Sequence, residues 1–110
     1  MISAIELIAT ERARQIDQEG WTAEYDSQHN PSELTRAGIS YAAQAATQMQ
    51  LQTHETCDTM NWPWDYKWWK PSRDPVRNLV IAGALIAAEI DRALREQQVE
   101  AAAQKENGNG

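Results

Sequence analysis

The chain has no phenylalanine, one cysteine and two histidines in 110 residues. Each scarcity removes a class of protein. Cys57 has no second thiol to pair with, so a disulfide scaffold is excluded, and His29 and His54 leave no Cys/His cluster at zinc spacing. A reducing, cytoplasmic setting is the expectation. Basic residues are also few, ten against sixteen acidic, for a net charge of −6. Proteins that bind DNA or RNA without sequence preference depend on neutralising phosphates, so no direct nucleic-acid partner is expected. The longest mainly apolar stretch, 79–88, is far short of the roughly 20 residues that cross a bilayer. No basic segment followed by an apolar one opens the chain, so neither export nor a membrane partner is expected.

What is present reads as an all-α domain. Ser3 and Glu6 have the spacing of a capping box, and Ile5, Ile8, Ala9, Arg12 and Ile16 recur on one helical face, which predicts a first helix from Ala4 to about Gln18, ended at Gly20. Asn30-Pro31-Ser32-Glu33 predicts a second helix, with Asn30 as N-cap and Pro31 in the first helical position. Its stripe of Leu34, Ala37, Gly38, Tyr41, Ala42, Ala45 and Met49 is rich in small residues. Asp74-Pro75 repeats the start signal for a third helix running to about Val99. Gly38 and Gly83 cost helix propensity, and a close crossing of the second and third helices is the expected reason for both.

The third helix carries two apolar sides, Leu79, Ile86, Ile90 and Leu94 on one and Ile81, Ala84, Leu85 and Ala88 on the other. Three helices cover only one of them, so a homo-oligomer formed through this helix is expected. The domain organisation expected is one helical domain over 1–100, with 101–110 as a flexible C-terminal tail of Ala, Gln, Lys, Glu, Asn and Gly.

Four of the five tryptophans fall within residues 62–69, between the second and third helices. Trp-Pro-Trp resists helix formation, so Trp62, Trp64, Trp68 and Trp69 sit on an irregular connector, interleaved with Lys67, Lys70 and Arg73. Cations among aromatic faces suit stacking on a flat anionic ligand or anchoring in a protein interface. Four exposed indoles would promote aggregation, so part of the connector is expected to pack on the helices as a lid in place of a fourth helix.

A second constellation precedes the second helix: Trp21, Asp26 and His29, with Glu33 just inside it. Asp26, His29 and Glu33 are residue types that bind a divalent ion or activate water, and equally the types that build turns and helix caps. Their spacing belongs to no metal motif, so no metal or cofactor is expected. Arg12 lies on the apolar face of the first helix, about 340° around from Ile5 at about 100° per residue. A buried guanidinium requires a carboxylate, for which Glu33 and Glu89 are candidates, either as a structural pair or as the floor of an anion site. Trp21, His29 and Arg12 therefore join the connector residues in one candidate ligand site.

Several of these segments occur together: Glu11-Arg12-Ala13-Arg14-Gln15-Ile16, Glu19-Gly20-Trp21-Thr22, Glu33-Leu34, Trp62-Pro63-Trp64, Trp68-Trp69-Lys70-Pro71 and Ala82-Gly83-Ala84-Leu85-Ile86. In this combination the chain resembles a group of small uncharacterised proteins encoded by tailed phages and prophages, over most of residues 5–95. Tyr25 stands where the group has a histidine. The resemblance implies a setting in the host-cell cytoplasm, where small accessory proteins antagonise host defence by sequestering a nucleotide-derived ligand or by binding a host protein. The alternative is a MazG-like, magnesium-dependent nucleotide pyrophosphohydrolase, for which Glu33, Glu89 and Asp91 are the available carboxylates. The paired Glu-x-x-Glu and Glu-x-x-Asp of that family are missing, so binding is expected rather than catalysis.

Overall fold

A computed structural model of the chain describes residues 1–19, 32–56 and 61–108, whose regular structure is helical, with no strand among them. Helix α1 spans Ala4–Glu19, α2 spans Glu33–Leu51 and α3 spans Pro75–Gly108, with a single 3-10 turn at Tyr66–Trp68 inside the connector. No helix among the described residues is long and apolar enough to cross a membrane.

Local chemistry sets the helix starts. Ser3 Oγ accepts the Glu6 N–H at 3.2 Å and donates to the Glu6 carboxylate at 3.2 Å, so the Ser3/Glu6 pair opens α1. Asp74 accepts the Val76 N–H at 3.0 Å and caps α3 ahead of Pro75. Helix α2 begins at Glu33, two residues later than Pro31 in the first helical position would put it. Ser32 occupies the cap with φ 79° and contributes no side-chain cap bond. The missing acceptor comes from α3: Glu89 accepts the Ser32 N–H at 2.9 Å and the Thr35 hydroxyl at 3.1 Å. A carboxylate there also faces the positive end of the α2 dipole. Asn30 and Pro31 lie outside the described residues.

Helix α3 is the middle of the layer, because α1 and α2 each pack on it and not on each other. At about 1.5 Å per residue its 34 residues run to roughly 50 Å, most of the 61 Å long axis. It continues through Gly108 rather than stopping near Val99, so 101–108 is helix where a flexible tail was expected. That stretch is rich in good helix formers, three consecutive alanines among them. Residues 96–106 are exposed throughout.

The two glycines serve different neighbours. A Cβ on Gly38 would stand 3.3 Å from the Ala82 carbonyl and 3.1 Å from Ile86, so Gly38 marks the α2–α3 crossing as expected. A Cβ on Gly83 would meet Ile8 at 2.7 Å, so Gly83 receives α1 and not α2. Helix α1 is also turned differently from its apolar stripe. Glu11 and Gln15 are its buried residues, while Ile5, Ala9 and Ile16 are exposed. Glu11 is turned toward α3 and its ion pairs, described below, while of the isoleucines only Ile8 packs there, against Gly83.

The core lies between α2, α3 and the connector. Leu34, Ala37 and Tyr41 meet Ala82, Leu85 and Ala88, and Trp69 closes them from above, with Trp62, Trp64 and Ile81 packed at the edge. The connector thus closes one side of the α2–α3 core.

Candidate functional site

The connector is held by two sets of polar contacts. The first is a buried side-chain network at its exit. Asn78, fully buried on the first turn of α3, donates to the Ser72 carbonyl at 2.8 Å and to Gln48 Oε1 at 2.9 Å, and accepts the Ser72 N–H at 2.8 Å. Gln48 donates to the same Ser72 carbonyl at 3.0 Å. One turn earlier on α2, Gln44 donates to the Glu55 carbonyl at 2.8 Å. His54 Nδ1 donates to the Arg73 carbonyl at 2.8 Å, which fixes the proton on Nδ1 because a carbonyl only accepts. Side chains of α2 and α3 thereby supply the backbone partners that an irregular segment lacks.

The second set shapes the tryptophan segment. Trp64 Nε1 donates to Glu33 at 2.9 Å, tying the connector to the start of α2. Asp65 accepts the Lys67 N–H on its side chain at 3.0 Å, and its carbonyl accepts the Trp68 N–H at 3.0 Å and Trp62 Nε1 at 3.1 Å. Trp69 N–H donates to the Tyr66 carbonyl at 3.0 Å. The rings then stack: Trp69 lies 4.8 Å from Tyr41 and 5.2 Å from Trp62, and Trp62 meets Trp64 edge-on at 5.3 Å. Pairs of this geometry contribute about 0.5–1.5 kcal/mol each beyond burial.

These contacts divide the tryptophans. Trp69 is buried and Trp62 and Trp64 are half-buried, but Trp68 is 58% exposed. Lys67 and Lys70 both reach over its ring, their ammonium groups 5.4 Å and 5.7 Å from the centroid. Tyr66 is exposed beside it in sequence. The result is a projecting aromatic face with two cations, on a turn fixed at both ends. Arg73 is exposed at the foot of α3, where His54 holds its backbone. Arg12 is half-buried on α1. Trp21 and His29 lie outside the described residues, as does Asp26, so the composite site of Trp21 with Trp64 and Trp68 is not on view.

Sequence reading missed the strongest charge cluster. Glu11, 2% exposed, accepts from Arg77 at 2.6 Å, from Arg14 through two bonds of 2.8 Å, and from Gln15 at 3.2 Å. Burial pushes the Glu11 carboxyl up, but the hydrogen bonds and charges of Arg14 and Arg77 overcome this and hold it below the usual carboxylate range. The signal in the sequence was the i,i+3 and i,i+4 spacing of Glu11, Arg14 and Gln15. A cleft of about 540 Å³ opens beside it, lined among others by Thr10, Asp17 and Asp74. Because Glu11 neutralises the guanidiniums in part and Asp17 and Asp74 add negative potential, the cleft does not attract an anion. The cluster fastens α1 to α3.

The carboxylates considered for magnesium do not assemble. Glu33 and Glu89 come to the same end of the α2–α3 pair. Glu33 is bonded to Trp64, while Glu89 accepts from Ser32, Thr35 and Arg92, the last at 2.7 Å. Asp91 is exposed. Among the described residues no group of three His, Cys, Asp or Glu side chains stands close enough to hold a metal ion.

Fold and site define a small all-helical protein with a tryptophan-clamped connector presenting one aromatic–cationic face. No family model, curated protein or solved structure matches the chain.

Proposed function

We propose that this is an accessory binding protein of the kind tailed phages encode, acting in the host cytoplasm against host defence, and that it binds a host protein through Trp68. The observation that carries this is the division within the connector. Three tryptophans are spent on the fold, whereas Trp68 is left projecting with Lys67 and Lys70 over its face. An exposed aromatic side chain is the type of residue that dominates interface energetics, and the two lysines favour an acidic partner surface. In this reading the protein is a homo-oligomer through α3.

Sequestration of a nucleotide-derived ligand is the competing reading. It is favoured by the same ring and cations, but an enclosing pocket is the usual form of a small-molecule site, and Trp68 projects instead. Affinity capture from host lysate, with wild type and Trp68→Ala compared, tests the proposal. A host protein retained by wild type and lost by Trp68→Ala supports it. Capture that survives both Trp68→Ala and the Lys67→Glu/Lys70→Glu pair refutes it, and a nucleotide retained in native mass spectra would move the function to sequestration.

A further inference from the structure

The connector covers one side of the α1–α3–α2 layer, and along α3 runs an apolar row that is exposed at Val76, Leu79, Ile86 and Ile90 and touched by Ile8 of α1 at Gly83. Val76, Leu79, Gly83, Ile86, Ile90 and Ala93 recur at alternating spacings of three and four, the spacing of a seam that faces another helix. Leu79, Ile86 and Ile90 are 43%, 41% and 53% exposed. Helix α1 borders the row where Ile8 meets Gly83, and α2 borders it where Gly38 meets Ile86. Ile5, one turn before Ile8, and Ile39, next to Gly38, are exposed at these borders. No charged residue interrupts the row over five turns.

We infer that this face binds a second copy of the chain about a two-fold axis, with the two α3 helices antiparallel and Leu79 of each set against Ile90 of the other. The inference deepens the self-association proposed above and is independent of what Trp68 binds.

Area and register carry it. Ile5, Ile39, Leu79, Ile86, Ile90 and Leu94, each between 41% and 74% exposed, offer roughly 550 Å² of apolar side chain. At an apolar fraction of about 0.6 this corresponds to roughly 900 Å² per copy, against about 800 Å² in stable complexes. The row is also complementary to itself when reversed. Setting Leu79 opposite Ile90 sets Val76 opposite Ala93 and Gly83 opposite Ile86, so every layer is apolar. Antiparallel pairing further places opposite helix-dipole ends together.

The test uses the full chain. Sedimentation equilibrium is expected to give twice the chain mass for wild type and the single-chain mass for Leu79→Lys/Ile90→Lys, with unchanged far-ultraviolet circular dichroism. A monomeric wild type, a trimer or higher species, or a dimer that survives both lysines overturns the inference. Register is read by oxidative cross-linking in a Cys57→Ser background. Leu79→Cys mixed with Ile90→Cys is expected to cross-link, and neither alone, because eleven residues along one helix separate the positions by about 16 Å, beyond disulfide reach. Self-linking of either single variant would refute the antiparallel arrangement while leaving self-association standing.

Discussion

Replacing Asn78 with alanine removes the centre of the network that holds the connector's exit. Three hydrogen bonds are lost, two donated by the amide and one accepted from Ser72 N–H. At about 1 kcal/mol net per bond, plus about 1–3 kcal/mol for a donor left in place without a partner, the expected cost is about 4–6 kcal/mol. A domain of this size has only about 5–15 kcal/mol in total. Urea unfolding followed by tryptophan emission reads the change directly, since Trp69 and Trp62 are part of the lid the network secures. The midpoint should fall by a third or more with little change in slope. Asn78→Asp keeps the oxygen that receives Ser72 N–H but sets a carboxylate against the Ser72 carbonyl and Gln48 Oε1, so it should be no more stable at pH 7. An Asn78→Ala protein within about 1 kcal/mol of wild type would refute the reasoning.

Gly38→Ala drives a methyl against the Ala82 backbone and Ile86, so it should destabilise by about 1–3 kcal/mol in thermal unfolding. Gly83→Ala sets its methyl 2.7 Å from Ile8 Cδ1 and 3.0 Å from Cγ1, and the χ1 of a helical isoleucine is stiff, so α1 must shift and the change should destabilise by about 1 kcal/mol despite the helix propensity gained. Glu11→Gln should cost about 1–2 kcal/mol at neutral pH, a limited amount because Arg14 and Arg77 are 34% and 40% exposed and regain water. Glu11 and Glu89 both have carboxyls held below the unfolded value, against burial that raises them, by bonds from Arg14 and Arg77 and from Arg92 and Ser32. Their stabilisation is therefore complete above the unfolded carboxylate pKa of about 4.3 and is lost as pH falls through the lowered folded values. Unfolding temperatures measured from pH 6 to pH 2 should drop through that window, and less steeply in Glu11→Gln.

Among the described residues, the starts of α1 and α3 were legible because capping chemistry is local: Ser3 with Glu6 and Asp74 with Pro75 act within one turn. The start of α2 was not, since its cap is Glu89, 57 positions from Ser32. The rotation of α1 was misread for a related reason. An apolar stripe predicts the buried face only when no tertiary ion pair competes, and Arg77 on α3 buries Glu11 instead. Gln44, Gln48 and Asn78 fall at core-facing positions, a pattern that in retrospect marks side chains serving a neighbouring irregular segment. The connector was legible as part lid and part exposed face, but not which tryptophan projects, because that depends on the turn built around Asp65.

The most direct measurement compares Trp68→Ala with Trp69→Ala for both unfolding free energy and capture of the host partner. Trp68→Ala is expected to unfold within about 0.5 kcal/mol of wild type and to capture nothing, while Trp69→Ala is expected to lose about 3–5 kcal/mol. A Trp68→Ala protein that retains the partner, or that loses stability comparable to Trp69→Ala, would contradict the division between clamped and presented tryptophans.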